Sequence, residues 1–282
     1  MERIAYFNGA IGDYEKMTVP FADRSIFYGD AIYDAVLVLD NLCFALEDHL
    51  DRLYNSCTLA DIEFTMPREE LNGEIQRLIS HNTGKCAMLY LQVSRGAAPR
   101  KHEYPENAKP NLFMFIAPCP LPDKNKRASL LSVEDLRFRF CNIKTTNLMP
   151  NVFAAQKATA AGKTEVLFHR GDRVTEAAHS SILIIKDGTV IMPPLDNLIL
   201  PGITRKILHR VCDENSIPVE IRVFTVDELK NADEILLCST TKNVIRVFEV
   251  DDAYVGGKDS ALATRLQELF LDKVFADTGV RL

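Results

Sequence analysis

A chain of 282 residues is too long for one small core and has the length of two domains or one large one. With 47% hydrophobic and 26% charged residues it has the balance of a soluble globular protein, and its net charge of -6 argues against a nucleic-acid-binding surface. No apolar run reaches the length of a membrane span, no signal-peptide core follows a basic head, and seven scattered cysteines without a CxxC pair or zinc spacing read as free thiols in a reducing cytoplasm.

The first half opens with a short strand at Ile4 to Phe7. Residues Ala31 to Leu39, rich in branched and aromatic side chains, form a strand that turns at Asp40-Asn41 into Leu42 to Ala45. A helix follows with Leu50, Leu53, Tyr54 and Cys57 on one stripe. A second, capped near Thr65 with Pro67 in its first turn, buries Leu71, Ile75, Leu78 and Ile79. "CAMLYLQVS" and "NLFMFIA" read as buried strands. The stretch Ala117 to Lys126, with three prolines followed by charge, reads as a linker.

The second half begins with strands at Leu130 to Val133 and Phe138 to Ile143, then a helix from about Val152 to Ala161. Two hairpins turn at Arg170-Gly171-Asp172 and at Asp187-Gly188. A helix after Gly202 carries Ile207, Leu208, Val211 and Cys212 on one face, Thr225 to Glu228 has the pattern of a capping box, and "EILLCS" is a further strand. An amphipathic helix from Ser260 to Phe275 closes the chain. The expected organisation is a mixed α/β (α+β) chain: a small α/β domain over 1–118, a linker over 119–127 and a larger strand-rich domain over 128–282.

Several residues have chemical possibilities beyond their place in these elements. Lys144 stands between the Phe138–Ile143 segment and a helix start. It is either a surface lysine with a wet head or an amine in an apolar cleft, where an ammonium gives up its proton more easily and can condense with an aldehyde cofactor. Such a cofactor asks for a phosphate site, an anion for its ring nitrogen and a trap for the substrate carboxylate. Glu176 is a candidate for the anion, or a solvated hairpin glutamate. Gly202, Ile203 and Thr204 offer free N–H groups at a helix start, and Ser239-Thr240 offer hydroxyls at a strand end; otherwise these are an ordinary helix start and a polar turn. Arg52 can pair with phosphate or lie solvated on its helix. Arg100 and His102, in a loop dense in cations, can grip a carboxylate or stay in water.

Taken together, "FADRSIFYGDAIYDAV", "LEDHLDRLYNS", "IKTTNLMPNVFAAQKA", "HRGDRVTEA", "LPGITR" and "CSTTKNV" stand in the order and at the spacing of one family. The chain resembles the fold-type IV pyridoxal phosphate (PLP) enzymes, the group of D-amino-acid aminotransferase, branched-chain aminotransferase and aminodeoxychorismate lyase. The resemblance runs over nearly the whole chain and implies the two-domain fold, with a pseudo-barrel in the larger C-terminal domain. It implies that Lys144 is the Schiff-base lysine and proton shuttle and that Glu176 faces the pyridine nitrogen. Arg52, the Ile203 and Thr204 amides and Ser239-Thr240 would hold the phosphate.

The loop "RGAAPRKHEYPEN" resembles D-amino-acid aminotransferase most. It implies a carboxylate trap of Tyr33, Arg100 and His102, the latter two from the neighbouring subunit of a homodimer with a shared active site. Two positions depart from the pattern: Ala177-Ala178-His179-Ser180-Ser181 replaces a glycine, serines and an asparagine, and Asp34 stands where a glutamate is usual. The expected activity is transamination between a D-amino acid such as D-alanine and a 2-oxo acid such as 2-oxoglutarate, with no nucleic-acid or membrane partner. The alternatives are a branched-chain L-amino-acid or (R)-amine transaminase, a lyase releasing pyruvate, or a PLP-binding protein without turnover.

Overall fold

The computed structural model describes residues 3–282. The chain forms two compact units: one takes in the residues up to Leu121 with Ile143–Asn147 and Asp277–Val280, and the other takes in Pro122–Asn142, Leu148–Ala276 and Arg281–Leu282.

The elements of the first unit are β1 (Ile4–Phe7), β2 (Ala10–Asp13), α1 (Arg24–Tyr28), β3 (Ala31–Leu39), β4 (Leu42–Cys43), α2 (Leu46–Leu59), α3 (Arg68–Ile79), β5 (Cys86–Ser94) and β6 (Asn111–Pro118). Its strands form one sheet in the order β2-β1-β6-β5-β3-β4. The β3–β4 turn places Asp40 and Asn41 at φ 45° and 65°, the left-handed pair that a tight hairpin requires. Strand periodicity decides the rest. Ile32, Val36 and Val38 share one face of β3 and meet Leu50, Leu53 and Cys57 of α2 and Leu71, Ile75 and Leu78 of α3 in a continuous core. Asp34 lies on that same face and Tyr33 on the other. The α3 cap is Pro67 rather than Thr65.

The second unit holds β7 (Arg127–Glu134), α4 (Met149–Ala160), β8 (Glu165–Arg170), β9 (Arg173–Ala177), β10 (Ser181–Lys186), β11 (Thr189–Met192), α5 (Ile203–Glu214), β12 (Val219–Ile221), α6 (Val226–Asn231), β13 (Glu234–Ser239), β14 (Asn243–Val250) and β15 (Ala253–Tyr254). The last helix, α7 (Ser260–Thr278), buries Ala263, Leu266, Phe270 and Val274. The sheet order is β12-β11-β10-β13-β14-β7-β8-β9, with β15 on β14. Ala177 N–H donates to Ser180 O, so the edge strand β9 returns directly to β10. The Thr225 hydroxyl accepts from Glu228 N–H at 3.0 Å, the first half of the expected capping box. Among the described residues no helix is long and apolar enough to cross a membrane.

The segment Phe138–Ile143 is not a strand. Leu136, Phe138, Arg139 and Phe140 are exposed, and only Arg137, 7% exposed, turns inward. The ion pairs of Arg137 turn it inward, and no neighbouring strand takes up the backbone. Ile143–Asn147 instead runs along the start of β3: Tyr33 N–H donates to Lys144 O at 2.9 Å and Thr146 N–H to Ala31 O at 3.0 Å.

Candidate active site

Lys144 lies in the first unit, on that extended segment. Its Nζ sits 4.2 Å from the Tyr33 ring centroid, and its N–H points to Ser56 Oγ at 3.4 Å. Tyr33 in turn stacks on Tyr90 at 5.6 Å, so the ring under the amine is braced by β5. Gly29 ends α1 at φ 60°, and a Cβ there would fall 2.7 Å from Asn147 Oδ1. Its carbonyl accepts from Asn147 Nδ2 at 2.9 Å and from Thr146 Oγ1 at 3.0 Å, so this close approach pins the lysine segment.

Arg52 is buried rather than solvated. Its Nε and Nη2 donate to Asp34 Oδ2 and Oδ1 at 2.9 and 2.7 Å, and His49 Nδ1 lies 2.7 Å from Asp34 Oδ1. His49, Arg52 and Ser56 form one stripe of α2, and the strand period brings Asp34 to it. Burial alone would push the Asp34 carboxyl up, but Arg52 and then His49 hold it well below the usual carboxylate range. Burial pushes His49 down, with Arg52 and Lys144 adding to it against the pull of Asp34. The Nδ1 side of the ring faces the aspartate.

Arg100 and His102 are exposed and converge on one ring: the Arg100 guanidinium lies 5.4 Å from the Tyr28 centroid, and the His102 ring 5.4 Å from it. Sequence reasoning missed the residue that shapes this loop. Buried Arg24 donates to the carbonyls of Lys101 at 2.6 Å and of His102 and Glu103 at 3.3 Å, while its Nε holds Asp30 at 2.7 Å. Asp30 is shared with Arg95 at 2.9 Å.

The second unit carries Glu176 on β9. It is buried, accepts from Arg137 Nη1 at 2.5 Å and from Leu200 N–H at 3.1 Å, and is pushed up by burial against the opposing charge of Arg137. Arg137 forks onto Asp135 with two contacts of 2.9 Å. Arg137 too was missed: nothing in its local sequence distinguishes it from a solvated arginine.

On the next strand, Ser181 pairs with Cys238, which sets the start of β10 beside Ser239-Thr240 at the end of β13. A Cβ on Gly202 would lie 2.5 Å from Ser181 Oγ, so only glycine lets the start of α5 approach this close. The helix starts with no side-chain cap, and the Ser239 hydroxyl is buried without a hydrogen-bond partner. Uncapped N–H groups at Ile203 and Thr204 beside an orphaned buried hydroxyl are a donor set suited to a phosphate, and Glu176 is an anion suited to a protonated ring nitrogen. The residues present fit the two ends of a pyridoxal phosphate.

A lysine amine over an aromatic ring, a buried carboxylate and an uncapped helix start with spare hydroxyls are the equipment of a PLP-dependent enzyme. Comparison with known proteins narrows this: the chain belongs to the class IV aminotransferase family, whose model matches residues 31–250. It is 33% identical over 276 residues to a D-alanine aminotransferase of Bacillus licheniformis, covering 97% of this chain and 98% of that protein. To the D-alanine aminotransferase of Staphylococcus haemolyticus it is 35% identical over 269 residues, covering 94% and 95%. Among solved structures, the branched-chain aminotransferase of the thermophilic archaeon Thermoproteus uzoniensis, with norvaline, has a TM-score of 0.87 at 21% identity, covering 96% of this chain and 94% of that one. Another branched-chain amino acid aminotransferase, complexed with N-(5'-phosphopyridoxyl)-L-glutamate, gives 0.89 at 23%, covering 99% and 95%. These structures establish the fold.

Proposed function

We propose that the protein transfers the amino group of a D-amino acid, D-alanine among them, to a 2-oxo acid such as 2-oxoglutarate, with pyridoxal 5'-phosphate as its cofactor. Two relatives named D-alanine aminotransferase, matched over nearly their whole length, support the substrate class. The observation that carries the reading is the loop that brings Arg100 and His102 to the same Tyr28 ring, two cationic or hydrogen-bonding groups suited to a carboxylate.

When bound, the cofactor supplies an aldehyde for amines and a cationic ring that accepts the electrons of a broken Cα–H bond. Lys144 would hold it through Nζ, and the same amine is the base placed to take and return the substrate's α-proton. Glu176 keeps negative charge at the ring nitrogen. Ile203 and Thr204 N–H, the Ser239 and Thr240 hydroxyls, and Arg52 oriented by Asp34 hold the phosphate. Tyr33, Arg100 and His102 take the substrate carboxylate.

A homodimer with a shared active site, in which the neighbouring subunit gives Arg100 and His102, accords with large apolar side chains left exposed at Leu136 (77%), Phe140 (61%), Met149 (62%) and Phe153 (61%). Seven free thiols accord with a cytoplasmic setting.

The test is an absorbance spectrum of the purified protein with added D-alanine, L-alanine or L-leucine. The expected result is a visible band, fixed by borohydride, that D-alanine alone discharges. A band discharged by L-leucine and not by D-alanine rejects the handedness. No band even with added pyridoxal phosphate rejects the cofactor.

A further inference from the structure

Glu165, the first residue of β8, has a side chain with no exposed surface. A buried carboxylate survives folding only when paired and hydrogen-bonded. Its Oε1 accepts from His179 N–H at 2.9 Å and lies 3.2 Å from His179 Nδ1; its Oε2 accepts from Ser180 Oγ at 3.0 Å and from the Lys242 ammonium. Lys242 Nζ also lies 3.0 Å from His179 Nε2. If the ammonium donates to Nε2, Nδ1 is left as the N–H that faces Glu165, so carboxylate, imidazole and ammonium close a ring of three.

These contacts come from two segments. One is the Ala178–Ser180 turn that leads into Ser181, the residue against Gly202 at the start of α5. The other is the Thr240–Lys242 turn that follows Ser239. Asn151 of α4 holds the first turn from its other side, through Ala178 O at 2.6 Å. The first turn leads into Ser181, at the end of the β10–β13 ladder, and the second follows Ser239 and carries Thr240, so the clamp fixes the two turns where the ladders stop.

Resting on the reading of this chain as a pyridoxal phosphate enzyme, we propose that Glu165, with Lys242, His179 and the Ser180 hydroxyl, is a positioning clamp: it sets the hydroxyls of Ser181, Ser239 and Thr240 around the start of α5, and thereby sets affinity for the phosphate of the cofactor rather than for its ring. The two charges of the clamp match each other, so what this unit presents to the phosphate is neutral N–H and O–H donors held in place. Such donors cost little to aim when their backbone is already fixed.

The clamp predicts a selective loss, read by titrating the cofactor-free full chain with pyridoxal phosphate and, separately, with pyridoxal, which lacks the phosphate. Wild type should prefer the phosphorylated form. Glu165→Gln and Lys242→Met should each weaken pyridoxal phosphate binding roughly tenfold to a hundredfold, the range expected for removing one partner of a buried polar pair. Their pyridoxal affinity should stay within about threefold.

Thermal melting of the cofactor-free variants reports whether each folds. Should Glu165→Gln not fold, the ratio is read from Lys242→Met and from His179→Ala, whose side chain is half exposed. Equal losses for both ligands, or no loss for either, overturn the clamp. A wild type that binds neither ligand overturns the cofactor reading beneath it, and that failure is visible before any variant is made.

Discussion

Replacing Arg137 with methionine tests the electrostatic arrangement of the second unit. In wild type the guanidinium forks onto Asp135 with two contacts of 2.9 Å, reaches Glu176 at 2.5 Å, donates to Leu198 O at 3.3 Å and lies 4.6 Å from the Phe168 centroid. Methionine keeps most of the packing on Phe168 and removes the charge. Asp135 would retain Arg170 at 3.3 Å and Thr175 Oγ1 at 3.1 Å. Glu176 would retain the Leu200 N–H, so the uncompensated charge falls mainly on it.

Removing one member of a buried pair costs about 3–5 kcal/mol. Part of that is relieved if Glu176 takes a proton, since burial already pushes its carboxyl up and the opposing charge of Arg137 is then gone. The sign follows: a raised carboxyl penalises the folded state as pH climbs from its ordinary value of 4.5 to the raised one, and in full above that, so the deficit of the variant should be small in acid and widen towards neutral pH. Urea unfolding of the cofactor-free protein at pH 5 and pH 8 measures this, with Arg137→Met, Glu176→Gln and the double variant forming a cycle. The double variant should recover at least about 1 kcal/mol of the Arg137→Met loss at pH 8. A deficit that is below about 1 kcal/mol, or the same at both pH values, refutes the reasoning.

Asp34 is held below its ordinary value of 3.8, so its contribution to stability is complete above that pH and disappears as pH falls beneath it. Asp34→Asn should flatten the acid limb of the stability curve by up to about 1.4 kcal/mol per pH unit, measured by denaturant titration. Arg24→Lys keeps a charge for Asp30 but loses the fork that holds three loop carbonyls. Trypsin should then cut at Arg100 or Lys101 several-fold faster, and the KM for D-alanine should rise about tenfold with kcat less affected. Cys86 and Cys119 face each other with Sγ atoms 3.1 Å apart, and the hydrogen bond between them lowers the Cys119 thiol. With oxidised glutathione, the Cys119 thiolate should displace one glutathione and Cys86 the second. Two of the seven thiols then disappear from a thiol titration, a loss that Cys119→Ser abolishes.

What was legible in the sequence had local physics behind it. The strand Ala31–Leu39 and its Asp40-Asn41 turn, the apolar stripe of the helix after Gly202 and the Thr225 cap are each specified within a dozen residues, by period or by turn chemistry. What stayed hidden is held by charged side chains whose partners lie far apart in the chain: Arg24 with the carbonyls of 101–103, Arg137 with Glu176, and Glu165 with Lys242. No window of sequence registers such a pair. Residues 136–140 show the two signals in conflict. Alternating apolar side chains and arginines argue for a half-buried strand with the arginines outward, yet Arg137 is inside and Leu136, Phe138 and Phe140 are outside. Leaving Glu176 buried without a cation would cost more than exposing three apolar side chains to solvent at about 25 cal/mol per Å². The one arginine turned inward among exposed neighbours therefore marks a buried ionic demand nearby. Here that demand is Glu176, the residue proposed to keep negative charge at the cofactor ring.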